Sequence, residues 1–110
     1  MKLVTIKNSR EFRRIMDTSG GWSDRNLVMK KVFNGSSLNR YGFVVSRKVG
    51  GAVVRNMVRR RLKEIIRGQN LMPGYDIVFI ARQTSARATY AQLEKSSRGL
   101  AKRAGLVGNI

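Results

Sequence analysis

The sequence contains no cysteine and no histidine. Without cysteine the chain can form no disulfide, and without thiolate and imidazole ligands the usual kinds of zinc site are excluded. Acid–base catalysis by histidine and Ser-His-Asp triads are excluded for the same reason. The protein is therefore neither a zinc protein of the usual kinds nor a hydrolase that depends on such a triad.

Carboxylates are scarce as well, since six Asp and Glu stand against 23 Lys and Arg and the formal net charge is +17. No two of the six are spaced like a catalytic pair or like the ligands of a two-metal site. Gly50 and Gly51 match neither a Walker A loop nor a dinucleotide-binding fingerprint. We therefore predict no active site and no bound cofactor in the polypeptide alone, and a polyanionic partner to balance its charge.

Long apolar runs are absent, and no run approaches the roughly 20 residues that span a bilayer. The N-terminal segment MKLVTIKNSR lacks the apolar stretch of a signal peptide, so the cytoplasm is the simplest location. The 110 residues predict one domain, residues 1–110, and a hydrophobic content of 42% suffices for a small core.

Residues 41–67 combine a strand, a turn and a helix. The nearly continuous apolar run at 41–45 predicts a buried strand, and the two glycines at 50 and 51 predict a turn. Apolar residues then recur at helical spacing as far as Ile66, and Gly68 predicts the end of the helix. Arg61 falls inside the apolar arc, where we expect its stem to pack while its guanidinium reaches water.

The opposite side of this helix carries Arg55, Asn56, Arg59, Arg60, Lys63 and Arg67. A charge run on a helix is usually a solvated face, and such a face mixes signs. Here like charges four residues apart repel one another, and only Glu64 offsets them nearby. The pattern therefore favours a face that binds an anionic partner, nucleic acid first and an anionic membrane second.

The segments GFVVSRKVG and AVVRNMVRRRLKEIIR resemble the signature of the bacterial ribonuclease P protein family. In that family a strand ends in Ser and a basic pair, a Val/Ile-Gly turn follows, and Arg-Asn and further basic residues recur at helical offsets. Gly51 and Met57 depart from the pattern, because basic residues usually stand there. The patterns along the chain give the element order α-β-β-α-β-α, with room for one more short strand. Together with the resemblance this predicts an α+β fold, a two-layer α/β sandwich with a mixed sheet, which the resemblance implies to be ribosomal-protein-S5-domain-2-like.

The resemblance also implies the function of the protein subunit of ribonuclease P, the enzyme that removes the 5′ leader of precursor tRNA. In that enzyme the RNA subunit cleaves the phosphodiester and requires Mg2+, while the polypeptide assists binding. No membrane and no protein partner is implied. The residues that would bind the catalytic RNA are Arg55, Asn56, Arg59, Arg60 and Lys63. The residues that would form a cleft for the leader are Phe12, Met16, Arg47 and Lys48.

Three of these residues, Phe12, Met16 and Asn56, have two interpretations each. Phe12, Ile15 and Met16 form an apolar stripe on a predicted helix, which Asn8 and Glu11 would open as a capping box. The stripe alone makes all three core residues, whereas the resemblance places Phe12, and with less support Met16, in the cleft. Asn56 would either fix the register of the RNA or form a local hydrogen bond.

The remaining pattern predicts two more strands and a last helix. Leu27–Phe33 should form a hairpin with the strand at 41–45 through the turn-rich loop NGSSLN. The apolar run at 76–81 should lie parallel to the strand at 41–45 in a βαβ unit. Such crossovers are right-handed in about 98% of cases, whereas the resemblance implies the left-handed form, which we adopt. Thr89 and Gln92 predict a capping box for the last helix.

A general basic RNA-binding protein of the ribosomal type, with no part in catalysis, is the main alternative, because one fold can serve several functions. The order of motifs between Ser46 and Lys63 favours the ribonuclease P hypothesis. An anionic-membrane binder would need an exposed apolar helix face, and the core requires that face here.

Overall fold

A computed structural model describes residues 3–18 and 20–108 of the chain. Within these ranges there are three α-helices and four β-strands in the order α-β-β-β-α-β-α, and a 3-10 helix at Gln83–Ala86 precedes the last helix. The two-residue strand at Trp22–Ser23 is the additional short strand for which the predicted order left room. The predicted α+β class with a mixed sheet is confirmed. No helix in the described part of the chain is long and apolar enough to cross a membrane. The elements are α1 (Ser9–Asp17), β1 (Trp22–Ser23), β2 (Leu27–Phe33), β3 (Arg40–Val44), α2 (Ala52–Arg67), β4 (Tyr75–Ala81) and α3 (Tyr90–Arg103).

The strands form one mixed sheet in the spatial order β1-β2-β4-β3. β4 is antiparallel to β2 and parallel to β3, so the predicted parallel pairing across α2 is confirmed. The predicted hairpin of β2 with β3 is wrong, because β4 separates the two strands. β4 takes the centre because Ile77, Val78 and Phe79 are fully buried, and a strand buried on both faces needs neighbours on both sides. The handedness of the crossover stays a prediction.

The loop between β2 and β3 crosses the start of β4 instead of forming a hairpin turn. Asn34 donates its backbone N–H to the Gly74 carbonyl at 2.8 Å and its Nδ2 to Asp76 Oδ1 at 2.9 Å. Asn39 Oδ1 accepts the backbone N–H of Tyr75 at 2.8 Å. These bonds fix the first residues of β4 between its two neighbours.

One face of the sheet carries the hydrophobic core, and α2 and α3 cover it. Alternate residues of a strand share a face, so the odd-numbered residues of β3 and β4 point to this side. The predicted capping box of Thr89 and Gln92 opens α3. The core includes Leu27, Met29, Tyr41, Ile77, Phe79 and Ala81 of the sheet, Val58, Leu62, Ile65 and Ile66 of α2, and Leu93, Leu100 and Ala101 of α3.

α1 packs on the opposite face of the sheet. Asn8 Oδ1 accepts the backbone N–H groups of Arg10 and Glu11 at 2.9 and 3.2 Å, which confirms the predicted cap. The capping box is wrong, because the Glu11 carboxylate lies 2.7 Å from Nη1 of Arg40 instead. Arg40 also donates two hydrogen bonds to Asp76, at 2.9 and 2.6 Å. We call this opposite side of the sheet the open face. The strand residues on it are Val28, Lys30, Val32, Arg40, Gly42, Val44, Asp76, Val78 and Ile80.

The Arg40–Asp76 pair is a buried anchor for α1. Burial by itself would raise the pKa of Asp76, whose exposure is 1%. The hydrogen bonds from Arg40 and Asn34 outweigh burial and hold the pKa of Asp76 below its ordinary value. The hydrogen bond to Asp76 in turn raises the pKa of Arg40. The ionised pair therefore stays available to hold Glu11, and with it α1, against β3 and β4.

Two lysines interrupt the apolar pattern of β2, and each ties the end of a helix to the sheet. Lys30 Nζ, on the open face, donates to the carbonyls of Met16 and Thr18 at 2.8 Å each. Lys31 Nζ, on the core face, donates to the Ala104 carbonyl at 2.7 Å. A cation suits a helix C-terminus because its last carbonyls are unpaired and carry partial negative charge.

Candidate nucleic-acid interface

α2 presents its basic residues to solvent because its apolar residues belong to the core. Gly51 and Gly68 cap the helix, so its ends are as predicted. Val58 and Leu62 are fully buried, and a step of about 100° per residue turns the opposite side outward. The predicted residues on that side are exposed (Asn56, Arg60) or half-buried (Arg55, Arg59, Lys63).

The positive charge on this side of α2 has no carboxylate partner within the described residues, where every ion pair lies outside α2. Arg59 Nη1 donates to Asn56 Oδ1 at 3.0 Å. This bond is the local contact expected for Asn56, and it leaves the amide N–H groups of Asn56 as donors toward solvent. Arg55 Nε is buried and has no hydrogen-bond partner in the described part of the chain.

Arg47 and Lys48 lie on the turn that joins β3 to α2. Val45 and Val49 on either side are buried, each with 6% exposure. The Val49 N–H donates to the Ser46 carbonyl at 3.0 Å, which closes the turn. The two buried valines fix the turn and leave Arg47 and Lys48 exposed at its tip. Both cations therefore lie just beyond the end of β3.

Phe12 and Met16 lie four residues apart on one flank of α1, and both are half-buried. Ile15 is fully buried, so it alone of the predicted stripe belongs entirely to the interior. The flank borders a concavity of about 460 Å³, which Lys7 and Arg13 also line. Apolar surface and cations therefore meet along this side of α1.

The Phe12 ring rests on Gly42 of β3. A methyl group added at Gly42 would lie 2.7 Å from Cε2 of Phe12 and 3.3 Å from Cγ2 of Val78. The first distance is far below ordinary van der Waals contact, so only glycine lets the ring approach β3 this closely. Phe12 thus packs on the sheet with part of its ring and remains accessible with the rest.

An apolar row crosses the open face between the Phe12 ring and the basic turn. Val28, Ile80 and Val44 are partners in register across β2, β4 and β3, and all three are half-buried. Sequence analysis did not single them out, because nearly continuous apolar strands predict burial on both faces. The available signal was the alternation, which places them on the same face as Gly42.

The predicted residues therefore lie on two separate surfaces. The α2 surface comprises Arg55, Asn56, Arg59, Arg60 and Lys63. The α1 cleft comprises Phe12 and Met16 on one side of the apolar row, and Arg47 and Lys48 beyond its other side. Apolar surface beside exposed cations suits single-stranded nucleic acid, whose bases stack and whose phosphates attract cations. The fold and these two surfaces are typical of a small RNA-binding protein.

Comparison with known proteins gives the particular family. The Ribonuclease P family model matches residues 1–105. The Ribonuclease P protein component of Clostridium botulinum, strain Langeland, is 39% identical over 109 residues, which cover 96% of this chain and 98% of the relative. The Staphylococcus aureus RNase P protein structure has a TM-score of 0.85 and 29% identity, covering 97% of this chain and 100% of that one. An S. aureus RNase P protein mutant with defective mRNA degradation activity has a TM-score of 0.84 and 29% identity, covering 94% and 89%. The chain belongs to the ribonuclease P protein family.

Proposed function

We propose that this protein binds the catalytic RNA of ribonuclease P and assists removal of the 5′ leader from precursor tRNA. The α2 surface carries the proposal, because its cations have no carboxylate partner within the described residues. Arginine suits an RNA backbone because its planar guanidinium donates two hydrogen bonds to one phosphate and stays charged. Asn56, held by Arg59, adds a neutral donor that fixes the position of the RNA along α2.

The α1 cleft is the proposed site of the leader. Phe12 offers the accessible part of a ring whose other part rests on Gly42, so a stacked base would meet a fixed surface. The apolar row, which includes Val44, continues that surface toward Arg47, and Arg47 is placed to contact phosphates. Stacking and backbone charge hold a single strand with little preference for sequence. Leaders of different sequence require this tolerance.

The proposal assigns the chemistry to the RNA subunit and to Mg2+ in the assembled enzyme. Within the described residues there is no group of three or more carboxylates that could hold a metal ion, and the sequence contains no His or Cys. What the chain does contribute is positive charge. Cations between two RNA molecules reduce their repulsion, so the protein should lower the Mg2+ concentration at which substrate is bound and cleaved.

Reconstitution tests the proposal directly. The protein is mixed with a bacterial ribonuclease P RNA and precursor tRNA at low Mg2+, and accurate 5′ cleavage should appear only when both subunits are present. The double variant Arg59→Glu, Arg60→Glu is the control, because it reverses charge on the exposed side of α2 without touching a core residue. A general RNA-binding protein would bind these RNAs and leave accurate cleavage unstimulated. Equal stimulation by the wild type and the double variant would exclude the α2 surface.

A further inference from the structure

The open face continues past the apolar row to a second set of cations. Arg82 follows Ile80 by two residues and therefore shares the open face with it. The backbone N–H of Arg82 donates to the Asn26 carbonyl at 2.8 Å, which joins the end of β4 to the turn before β2. A cavity of about 410 Å³ at this junction is lined by Arg25, Arg82 and Thr84.

A larger cavity of about 570 Å³ continues from this junction to the start of α3. Arg25 and Thr84 line both cavities, and Arg87 and Lys95 line the larger one. Thr84 Oγ1 donates to the Arg25 carbonyl at 2.5 Å, so the two walls are tied together. The two cavities form one basic groove, defined by Arg25, Arg82, Thr84, Arg87 and Lys95.

The charge of the basic groove is strongly one-sided. Its four cations face one carboxylate, Asp24, whose Oδ1 already accepts the backbone N–H groups of Asn26 and Leu27 at 2.9 Å each. The side chains of Arg25, Arg87 and Lys95 are exposed and take no part in an ion pair within the described residues. Exposed cations without a carboxylate partner favour an anionic occupant of the groove. Since none of the described residues that line the groove is aromatic, the groove suits an occupant that is recognised through phosphates rather than through stacked bases.

We propose that the basic groove binds the phosphate backbone of leader nucleotides upstream of those held in the α1 cleft. The inference rests on the proposed function of that cleft. Continuity identifies the occupant, because Arg82 of the groove follows β4 directly in extended backbone, two residues after Ile80 of the apolar row, so that both lie toward the same side of the sheet. A strand that leaves the apolar row therefore meets Arg82 first and Arg87 and Lys95 after it.

The test uses the reconstituted holoenzyme and precursor tRNAs whose leaders are lengthened one nucleotide at a time. The double variant Arg87→Gln, Lys95→Gln removes two cations from the groove. A control with the same change in net charge, Arg98→Gln, Lys102→Gln, removes two exposed cations of α3 that do not line the groove. Of these two, Arg98 lies 3.8 Å from Glu94 in an exposed pair, whose loss should have little effect. Affinity is measured for each leader length over a range of salt concentrations.

The groove variant should bind short-leader precursors like the wild type and should lose affinity for long-leader precursors. Loss of two exposed charge contacts corresponds to a decrease of roughly twofold to thirtyfold. The salt slope, log K against log [salt], should become shallower by about 1.4 for long leaders, at about 0.7 per phosphate of a single strand. The control variant should retain the wild-type dependence on leader length.

Three outcomes would overturn the inference. Unchanged binding of long leaders by the groove variant excludes the groove as a phosphate site. An equal loss for short and long leaders, or a loss of catalytic RNA binding, assigns the groove to the RNA subunit. An equal loss in the control variant shows a general effect of net charge. A wild-type holoenzyme that binds precursor and mature tRNA equally would instead contradict the leader cleft itself, so failure of the groove and failure of the proposed function are distinguishable.

Discussion

Substituting Gly42 with alanine should displace the Phe12 ring without removing it. The added methyl would lie 2.7 Å from Cε2 and 3.3 Å from Cδ2 of Phe12. The backbone itself does not oppose the change, since Gly42 is not among the glycines with positive φ. The collision with the ring is therefore the main consequence, and the half-buried ring can relieve it only by moving away from β3.

The magnitude follows from two opposing effects. Overpacking costs about 1–3 kcal/mol, whereas replacing glycine in a strand returns about 0.5–1 kcal/mol of conformational entropy. Gly42→Ala should therefore lower the free energy of unfolding by at most about 2.5 kcal/mol. In the Phe12→Ala background the collision is absent and only the 3.3 Å contact with Val78 remains. There the same substitution should be neutral or stabilising, which gives a coupling energy of about 1–3 kcal/mol in the double-mutant cycle.

Denaturant unfolding of the four proteins measures the coupling, and binding of precursor and mature tRNA by the four holoenzymes measures its consequence. A stacked base contributes about 1–3 kcal/mol, so Gly42→Ala should weaken precursor binding by about fivefold to 150-fold. Mature tRNA has no leader, and its binding should not change. An equal destabilisation in both backgrounds would refute the contact between Gly42 and Phe12. Full coupling with unchanged leader binding would show that Phe12 is only a packing residue.

Five further experiments have defined outcomes. Phe12→Ala should weaken binding of precursor tRNA but not of mature tRNA. Its folding must first be checked by thermal melt, because a buried Phe→Ala costs about 3–5 kcal/mol of stability. Arg55→Ala should instead weaken assembly with the catalytic RNA and so affect both substrates. For the wild type we expect a slope of log K against log [salt] of roughly −3 to −5 for binding to the catalytic RNA. Charge reversal at Arg59 and Arg60 should make this slope shallower and weaken binding. An unchanged affinity would show that this side of α2 is only solvated. Rigorously RNA-free protein should cleave neither precursor tRNA nor mRNA, and cleavage of either would contradict the prediction that the polypeptide has no active site of its own. The pKa of Asp76 is lowered in the fold, so the ionised carboxylate stabilises the folded state fully above the ordinary carboxyl pKa of about 3.9. This stabilisation is lost as the pH falls through the lower pKa of the folded state. At neutral pH the free energy of unfolding should therefore be larger for the wild type than for Asp76→Asn, and the difference should shrink only in acid.

The sequence predicts best where an element must bury one side. The spacing of Val58, Leu62 and Ile66 determines which side of α2 packs and therefore which side faces outward. Gly51 and Gly68 mark its ends, because neither continues the apolar pattern. The composition of the outward side then identifies a partner class without any knowledge of the fold. This is why the side of α2 that faces outward could be predicted from spacing alone, whereas the assignment of Arg55, Asn56, Arg59, Arg60 and Lys63 to the catalytic RNA came from the family resemblance and stays a prediction.

Strand pairing could not be predicted in the same way. Strands adjacent in sequence usually neighbour each other, which favours a hairpin of β2 with β3. The structure inserts β4 between them, because the fully buried Val78 and its neighbours require a central position. The Arg40–Asp76 pair was equally inaccessible, since the two residues are 36 positions apart and neither belongs to a periodic pattern. Arg61 differs from its prediction in one respect, because its guanidinium donates to the Ala88 carbonyl at 3.2 Å.

The position of Phe12 depends on residues that need not touch RNA at all. α1 has nine residues, and a helix this short is marginal by itself. Its place on the sheet is set at one end by Glu11 on Arg40 and at the other by Lys30 on the carbonyls of Met16 and Thr18. A ring can serve as a stacking surface only if it is held still while a base approaches. The glycine under the ring and the ionic contacts at both ends of α1 meet that requirement. Packing on the sheet and the proposed contact with the leader are therefore compatible roles for Phe12.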